Sequence, residues 1–267
     1  MTYWLKRVKN YHYYYGFALG LLIICLHIFF SVIPARKYLT AENVFLFTPY
    51  TKWIYFNAGS GYSFLFVLAL PLFCSLGLNQ LIYDDLKSGF WHYKLIQGSL
   101  KRYSLVTSLL SFVSGFAMCG VLLLLDLGLT FLLLPNVKPD FILNANAPVL
   151  PQFTFFSNLY YSHPLVLFFA YIIFSSFVAG LFSLFSGMLS FYIRKKFAVV
   201  STGFVIGFVL TILATVFTKQ IYSPLLIISG YNPVYNPPLI TALLGYLITL
   251  ILVEVGFVLG VHKNAAL

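Results

Sequence analysis

Six runs of apolar residues divide this chain, at roughly 16–34, 62–82, 104–126 or beyond, 164–191, 197–217 and 239–261. Each approaches the ~20 residues that a bilayer's hydrocarbon core requires of a helix. A barrel strand would alternate polar and apolar over about ten residues, whereas stretches such as Ser63 to Leu78 are apolar on every face. The pattern predicts an all-α integral membrane protein, a single domain over 1–267 with six transmembrane helices. The first run is expected to be retained as a span. It lacks a small-x-small cleavage site before Pro34, and a long aromatic-basic lead, Met1 to Gly16, precedes it.

Between the runs the polar segments differ in character. In the lead, Trp4, Val8, Tyr11 and Tyr15 recur at helical spacing while Lys6, Arg7, Lys9 and Asn10 fill other faces. This predicts an amphipathic interfacial helix over 1–15, with those four residues as its anchor in membrane lipid. The competing reading is a tail that only fixes topology. Ala35 to Gly61 mixes Trp53, Tyr55 and Phe56 with few charges and is expected to rest at the outer interface. The loop at 135–163, with Pro135, Pro139, Pro148, Pro151 and several Asn, is expected to be irregular and exposed. The loop at 218–238 holds a short apolar piece, Leu225 to Ser229, ahead of Gly230 and the Asn-Pro breakers. Too short to span, that piece is a candidate to dip into the membrane and return, which requires its backbone to face protein or water.

Composition agrees with this reading: 61% of residues are hydrophobic, 8% are charged and the mean hydropathy is +0.92. A soluble domain needs far more polar surface. With the N-terminus inside, eleven of the sixteen Lys and Arg fall on cytoplasmic segments, and Arg36, Lys37, Lys52, Lys138 and Lys219 fall outside. That bias predicts a multi-pass protein of the cell membrane with both termini cytoplasmic. The net charge of +10 is then a topological signal plus attraction to anionic lipid, and no nucleic-acid partner is implied. Cys25, Cys74 and Cys119 all lie in predicted spans without CxxC spacing and read as packing residues. The histidines are scattered, with no pair at i, i+4, so no metal site is expected. Gly16 with Gly20, Gly203 with Gly207 and Gly256 with Gly260 are spaced for close helix contact, within one subunit or between two.

Two acids lie in or beside spans, where burial in hydrocarbon costs several kcal/mol and marks a residue as a functional candidate. If the third helix begins at Ser104, Asp126 lies about 33 Å along it, near the outer interface. Glu254 lies about 12 Å from the inner end of the sixth helix and is the better candidate for a buried polar partner. A hydrogen bond to a neighbouring helix and a part in transport are both open to it. Catalytic constellations are absent from the sequence: no paired-Glu helix, GxSG serine, HExxH or close His–Asp pair, and no phosphate loop for ATP. No catalytic residue, metal or cofactor is expected in this chain.

The segment 83–103, YDDLKSGFWHYKLIQGSLKRY, is the longest charged interruption between spans and the expected contact for a soluble partner. Asp84 and Asp85 open it, Gly89 follows, an apolar-basic stretch with Lys94 comes next, and Lys101 with Arg102 closes it. As a helix along the inner surface, it would turn Phe90, Trp91 and Leu95 to lipid or protein. Here the chain resembles the membrane permease subunits of type-two ABC transporters of the exporter kind. Their second and third helices are joined by an acid-x-x-x-Ser-Gly loop leading into an apolar, base-terminated cytoplasmic coupling helix. The match is Asp84-Asp85-Leu86-Lys87-Ser88-Gly89 through Lys101-Arg102-Tyr103, with two Asp where those families usually carry Glu. The lead, the six spans, the Pro-rich loop before Tyr160-Tyr161-Ser162-His163-Pro164 and the broken segment before the last helix extend it.

The resemblance implies that the chain is not itself an enzyme and works with a separate ATP-binding subunit, which holds ATP and Mg and docks on Asp84, Asp85, Gly89, Lys94, Lys101 and Arg102. It implies a second permease copy, or a homologous one, completing the pathway. The aromatic share of 19% suits a hydrophobic or amphiphilic cargo, such as a peptide, drug or lipid-like compound. Two rivals stand beside this reading: a substrate-binding membrane subunit of a vitamin-type importer, and an intramembrane enzyme, which the missing constellations disfavour.

Overall fold

The computed structural model describes residues 11–40, 42–57, 60–77, 79–89, 100–144, 149–219, 223–230 and 235–265. Six helices among them are long and apolar enough to cross a membrane: α1 (His12–Lys37), α2 (Gly61–Ser88), α3 (Leu100–Leu133), α4 (Pro164–Leu189), α5 (Lys196–Val216) and α6 (Leu239–Asn264). No β-strand occurs among the described residues. The architecture is that of an all-helical, multi-pass membrane protein, with each long helix close to its apolar run.

Two of the helices are irregular for identifiable reasons. α1 widens into a π turn at Ile28–Val32, just before Pro34, whose ring cannot donate to the ladder and crowds the carbonyl four residues back. α2 comprises two pieces, Gly61–Ser75 and Asn79–Ser88. At the join the side-chain amides stand in for lost backbone donors: Asn79 Nδ2 donates to the Cys74 carbonyl at 3.4 Å and Gln80 Nε2 to that of Ser75 at 3.1 Å. Such repair is obligatory where no water is available.

Two expectations about segment boundaries change. Tyr11 and Tyr15 belong to the helix Tyr11–His27, which runs into the first span instead of ending a separate surface helix; Trp4 and Val8 lie outside the described residues. Tyr83 to Ser88 continue α2 rather than opening a loop. The stretch with Phe90, Trp91, Lys94 and Leu95 lies outside the described residues.

Small residues and hydrogen bonds hold the bundle, as expected where lipid is as apolar as the helix surfaces. α3 and α4 pack tightly: a Cβ added at Gly115 would stand 2.6 Å from the Ala179 carbonyl. Beside it Ser183 Oγ donates to the Ser111 carbonyl at 2.5 Å and receives Asn79 Nδ2 at 2.9 Å. The paired glycines serve this chain's own packing. Gly16 faces the Phe73 carbonyl on α2, Gly207 faces Leu225, and Gly256 and Gly260 face Met188 and Phe191.

The aromatic segment before α2 corrects the sequence reading. Its aromatic residues are enclosed by protein: Trp53, Ile54 and Tyr55 are 0% exposed and Phe56 1%. Thr48 caps the short helix Pro49–Lys52 in a reciprocal box with Thr51, and the chain then turns extended at Trp53 and enters the bundle. Trp53 stacks on Phe168 of α4 at 4.4 Å between centroids, and Phe56 stacks on Phe168 at 5.1 Å and Tyr160 at 5.3 Å. A ring this size gains more by filling a gap between helices than by lying in headgroups.

The apolar piece before α6 also inserts. Leu225 to Ile228 are buried, and Leu225 packs at Gly207, nine residues or about 14 Å from the end of α5. Its backbone faces protein. Tyr246 OH donates to the Pro224 carbonyl at 2.7 Å, Ser223 Oγ receives the Leu226 amide at 3.2 Å, and Thr154 Oγ1 donates to the Gly230 carbonyl at 2.6 Å. The two inserts meet where a Cβ on Gly230 would stand 2.5 Å from the Tyr55 carbonyl. The loop between α3 and α4 joins the same cap. It is irregular, with Phe141 and Ile142 exposed as expected, yet Asn144, Val149, Thr154 and Tyr160 are buried, and Asn144 Nδ2 donates to the Phe45 carbonyl at 3.0 Å and Tyr160 OH to that of Tyr50 at 3.2 Å.

Candidate functional site

The bundle has chemically different ends, and the predicted site residues divide between them. At one end lie Asp84, Asp85, Gly89, Lys101 and Arg102. Asp84 sits on the polar continuation of α2 and is already engaged: Lys196 Nζ, at the start of α5, donates to its two oxygens at 2.9 and 3.1 Å. The same ammonium donates to His12 Nε2 at 2.8 Å and lies 6.0 Å from the Tyr83 ring. One lysine thereby ties the first turns of α1 and α5 to the end of α2. Asp85, expected beside Asp84 as a docking acid, is 5% exposed and faces the bundle; adjacent helical positions cannot share a face. Gly89 closes α2 with φ +73°, and none of the described residues stands within 4 Å of where its Cβ would be; this is the left-handed stop that glycine adopts without strain. Lys101 and Arg102 are exposed in the first turn of α3.

At the other end the acid near the interface is a sealed one. Asp126 and His27 are each 0% exposed, and His27 Nδ1 stands 2.8 Å from Asp126 Oδ1. This corrects the expectation of no close His–Asp pair; Asp126, seven residues or about 10 Å from the end of α3, is shut beneath the insert. Its second oxygen accepts the Ile54 amide at 3.0 Å. Asn57 completes the cluster through Nδ2, 3.1 Å from His27 Nε2 and 2.6 Å from Ser31 Oγ, while Lys52 Nζ donates to its Oδ1 at 3.4 Å. Burial lowers the Lys52 pKa, and its ammonium also lies 5.4 Å from the Phe47 ring. Glu254, ranked above Asp126 as the buried acid, is the less buried of the two; Ser108 Oγ of α3 donates to it at 2.9 Å. Helix counting located both acids along their axes but could not see which neighbour would cover them.

A groove of about 400 Å³ opens between α4, α5 and α6, with the second insert at one end. Phe182, Ile206, Leu210, Ile227, Tyr246 and Leu252 line it, so its chemistry suits an alkyl or aromatic body. No group of three or more His, Cys, Asp or Glu able to hold a metal occurs among the described residues.

Sequence reasoning missed His27, Ser31, Asn57 and Lys52. His27 and Asp126 stand 99 positions apart, so no motif spacing links them. The available signal was that each is a polar side chain within an apolar run, and such residues find one another. Comparison with protein families, curated proteins and solved structures finds no match to this chain, so the functional reading rests on residues and geometry.

Proposed function

We propose that this chain is the permease subunit of an ATP-driven exporter, working with a separate ATP-binding subunit seated on segment 83–103. The observation that carries the reading is the junction at Asp84 and Lys196. A partner that pulls on the polar end of α2 pulls also on α1 and α5, since Lys196 bonds to both Asp84 and His12. Exposed Lys101 and the open turn at Gly89 offer a docking surface there, with bases suited to acidic groups. Nucleotide-driven closure of the partner would reach three of the six helices directly. ATP and Mg belong to that partner.

The cargo is a hydrophobic or amphiphilic peptide, drug or lipid-like compound. Its apolar part fits the groove between α4, α5 and α6, and the exposed apolar faces of α5 and α6 border that groove. A second permease, identical or homologous, completes the pathway. Both termini, the Asp84 end and an amphipathic lead helix belong to the cytoplasmic side, as the Lys and Arg distribution favours.

Reconstitution with the ATP-binding subunit tests this reading. An amphiphile should stimulate ATP hydrolysis and be moved away from the nucleotide side, and Lys101→Glu should reduce that stimulation while leaving the helical content unchanged. In intact cells, Cys at Lys138 should react with an impermeant thiol reagent and Cys at Lys195 should not. Inward accumulation of a hydrophilic nutrient, or labelling with the opposite sidedness, defeats the proposal.

A further inference from the structure

The buried cluster around His27 has a polarity that its partners dictate. Lysine is a donor without acceptor capacity, so Lys52 Nζ at 3.4 Å fixes Asn57 with its carbonyl oxygen toward the lysine. The Asn57 NH2 group then points inward, one hydrogen toward Ser31 Oγ at 2.6 Å and the other toward His27 Nε2 at 3.1 Å. That second bond requires a lone pair on Nε2. The ring proton therefore sits on Nδ1 and is donated to Asp126 Oδ1 at 2.8 Å, while Asp126 Oδ2 holds the Ile54 amide at 3.0 Å. Among the described residues, the polar or titratable groups placed around the ring are Asp126 from α3, Asn57 from the insert with Lys52 behind it, Ser31 from the next turn of α1, and Tyr62 from the start of α2, its ring centroid 6.0 Å away. Asn57, as Lys52 holds it, presents Nε2 with a donor and not an acceptor.

We propose that His27 Nε2 is a proton-binding site that latches the aromatic insert Trp53–Phe56, and that taking up a proton releases it. The proton forms an N–H bond at Nε2, the bond from Asn57 is lost, and two donors then face each other between side chains that are at most 4% exposed. Asn57 cannot turn over to offer its oxygen while Lys52 holds that oxygen. The strain is relieved by withdrawal of residues 53–57, the segment whose Ile54 amide Asp126 fixes and whose Phe56 ring supports Gly230 of the second insert. Acidification of the compartment facing this end thereby loosens the cap. The inference does not depend on an ATP-binding partner.

Hydrogen exchange at the Ile54 amide, corrected for the intrinsic pH dependence of exchange, tests it on the purified full chain compared at about pH 8 and about pH 5. In the natural protein, protection should fall by about tenfold on acidification, which corresponds to loss of a local opening free energy rather than global unfolding. His27→Gln should abolish that response. Lys52→Met, at a partly exposed position, should at least halve it, because Asn57 is then free to turn its oxygen to the protonated ring. A natural protein whose protection is flat or rises on acidification overturns the proposal. So does a His27→Gln variant that keeps the response, or a Lys52→Met variant that keeps it in full.

Discussion

The two ends of this bundle solve the problem of polar groups in opposite ways. At the Asp126 end the charges are sealed: His27, Asp126 and Asn57 are at most 4% exposed, and His27 stands 2.8 Å from Asp126 and 3.1 Å from Asn57. At the Asp84 end the corresponding pair is open, with the Asp84 and Lys196 side chains 42% and 34% exposed. A sealed pair is costly to break because the survivor is left charged without water, whereas an exposed pair exchanges its partner for solvent at little cost. One end is therefore costly to open, whereas the other exchanges its contacts with solvent at little cost.

The largest test of that contrast is Asp126→Ala. Removing the carboxylate strands His27 Nδ1 and the Ile54 amide, and the loss should be about 3–5 kcal/mol, read as a steep drop in thermal midpoint in detergent. A loss under about 1 kcal/mol would mean that the site is wetter than its burial indicates. Next comes Gly230→Ala. The new Cβ meets the Tyr55 carbonyl at 2.5 Å, a backbone atom that cannot rotate away, so the two inserts must separate at a cost of about 1–3 kcal/mol. Loss of Trp53 shielding, measured by fluorescence quenching with Trp4 and Trp91 replaced by Phe, should accompany it. The smallest effect belongs to Asp84→Asn, expected to cost about 0.5 kcal/mol and to shrink further in high salt. An Asp84→Asn penalty as large as that of Asp126→Ala would erase the distinction between the ends.

The sequence disclosed the helices because the hydrocarbon core imposes a length on each of them: the runs at 164–191 and 197–217 match α4 and α5 closely. Helix counting also placed Asp126 and Glu254 along their axes. It failed where a segment's fate depends on what gaps other helices leave. Trp53, Tyr55 and Phe56 have the composition of an interfacial loop, and nothing local distinguishes that from an insert; the deciding partners, Phe168 and Tyr160, lie more than a hundred residues away. Leu225 to Ser229 was legible as a segment too short to span, since length and breakers are local properties. Asp85 was misjudged because helical phase, which turns it inward beside outward Asp84, could be applied only once α2 was known to continue to Ser88.

The most direct test of the central claim sets the two ends against each other in one purification. The tagged chain, extracted from its native membrane in mild detergent, should carry an ATP-binding subunit in near-equal amount. Lys101→Glu at the open end should release that subunit, while Gly230→Ala at the sealed end should retain it. Absence of any ATP-binding protein from the natural complex, or equal loss in both variants, would contradict the assignment of the Asp84 end as the docking end of a permease.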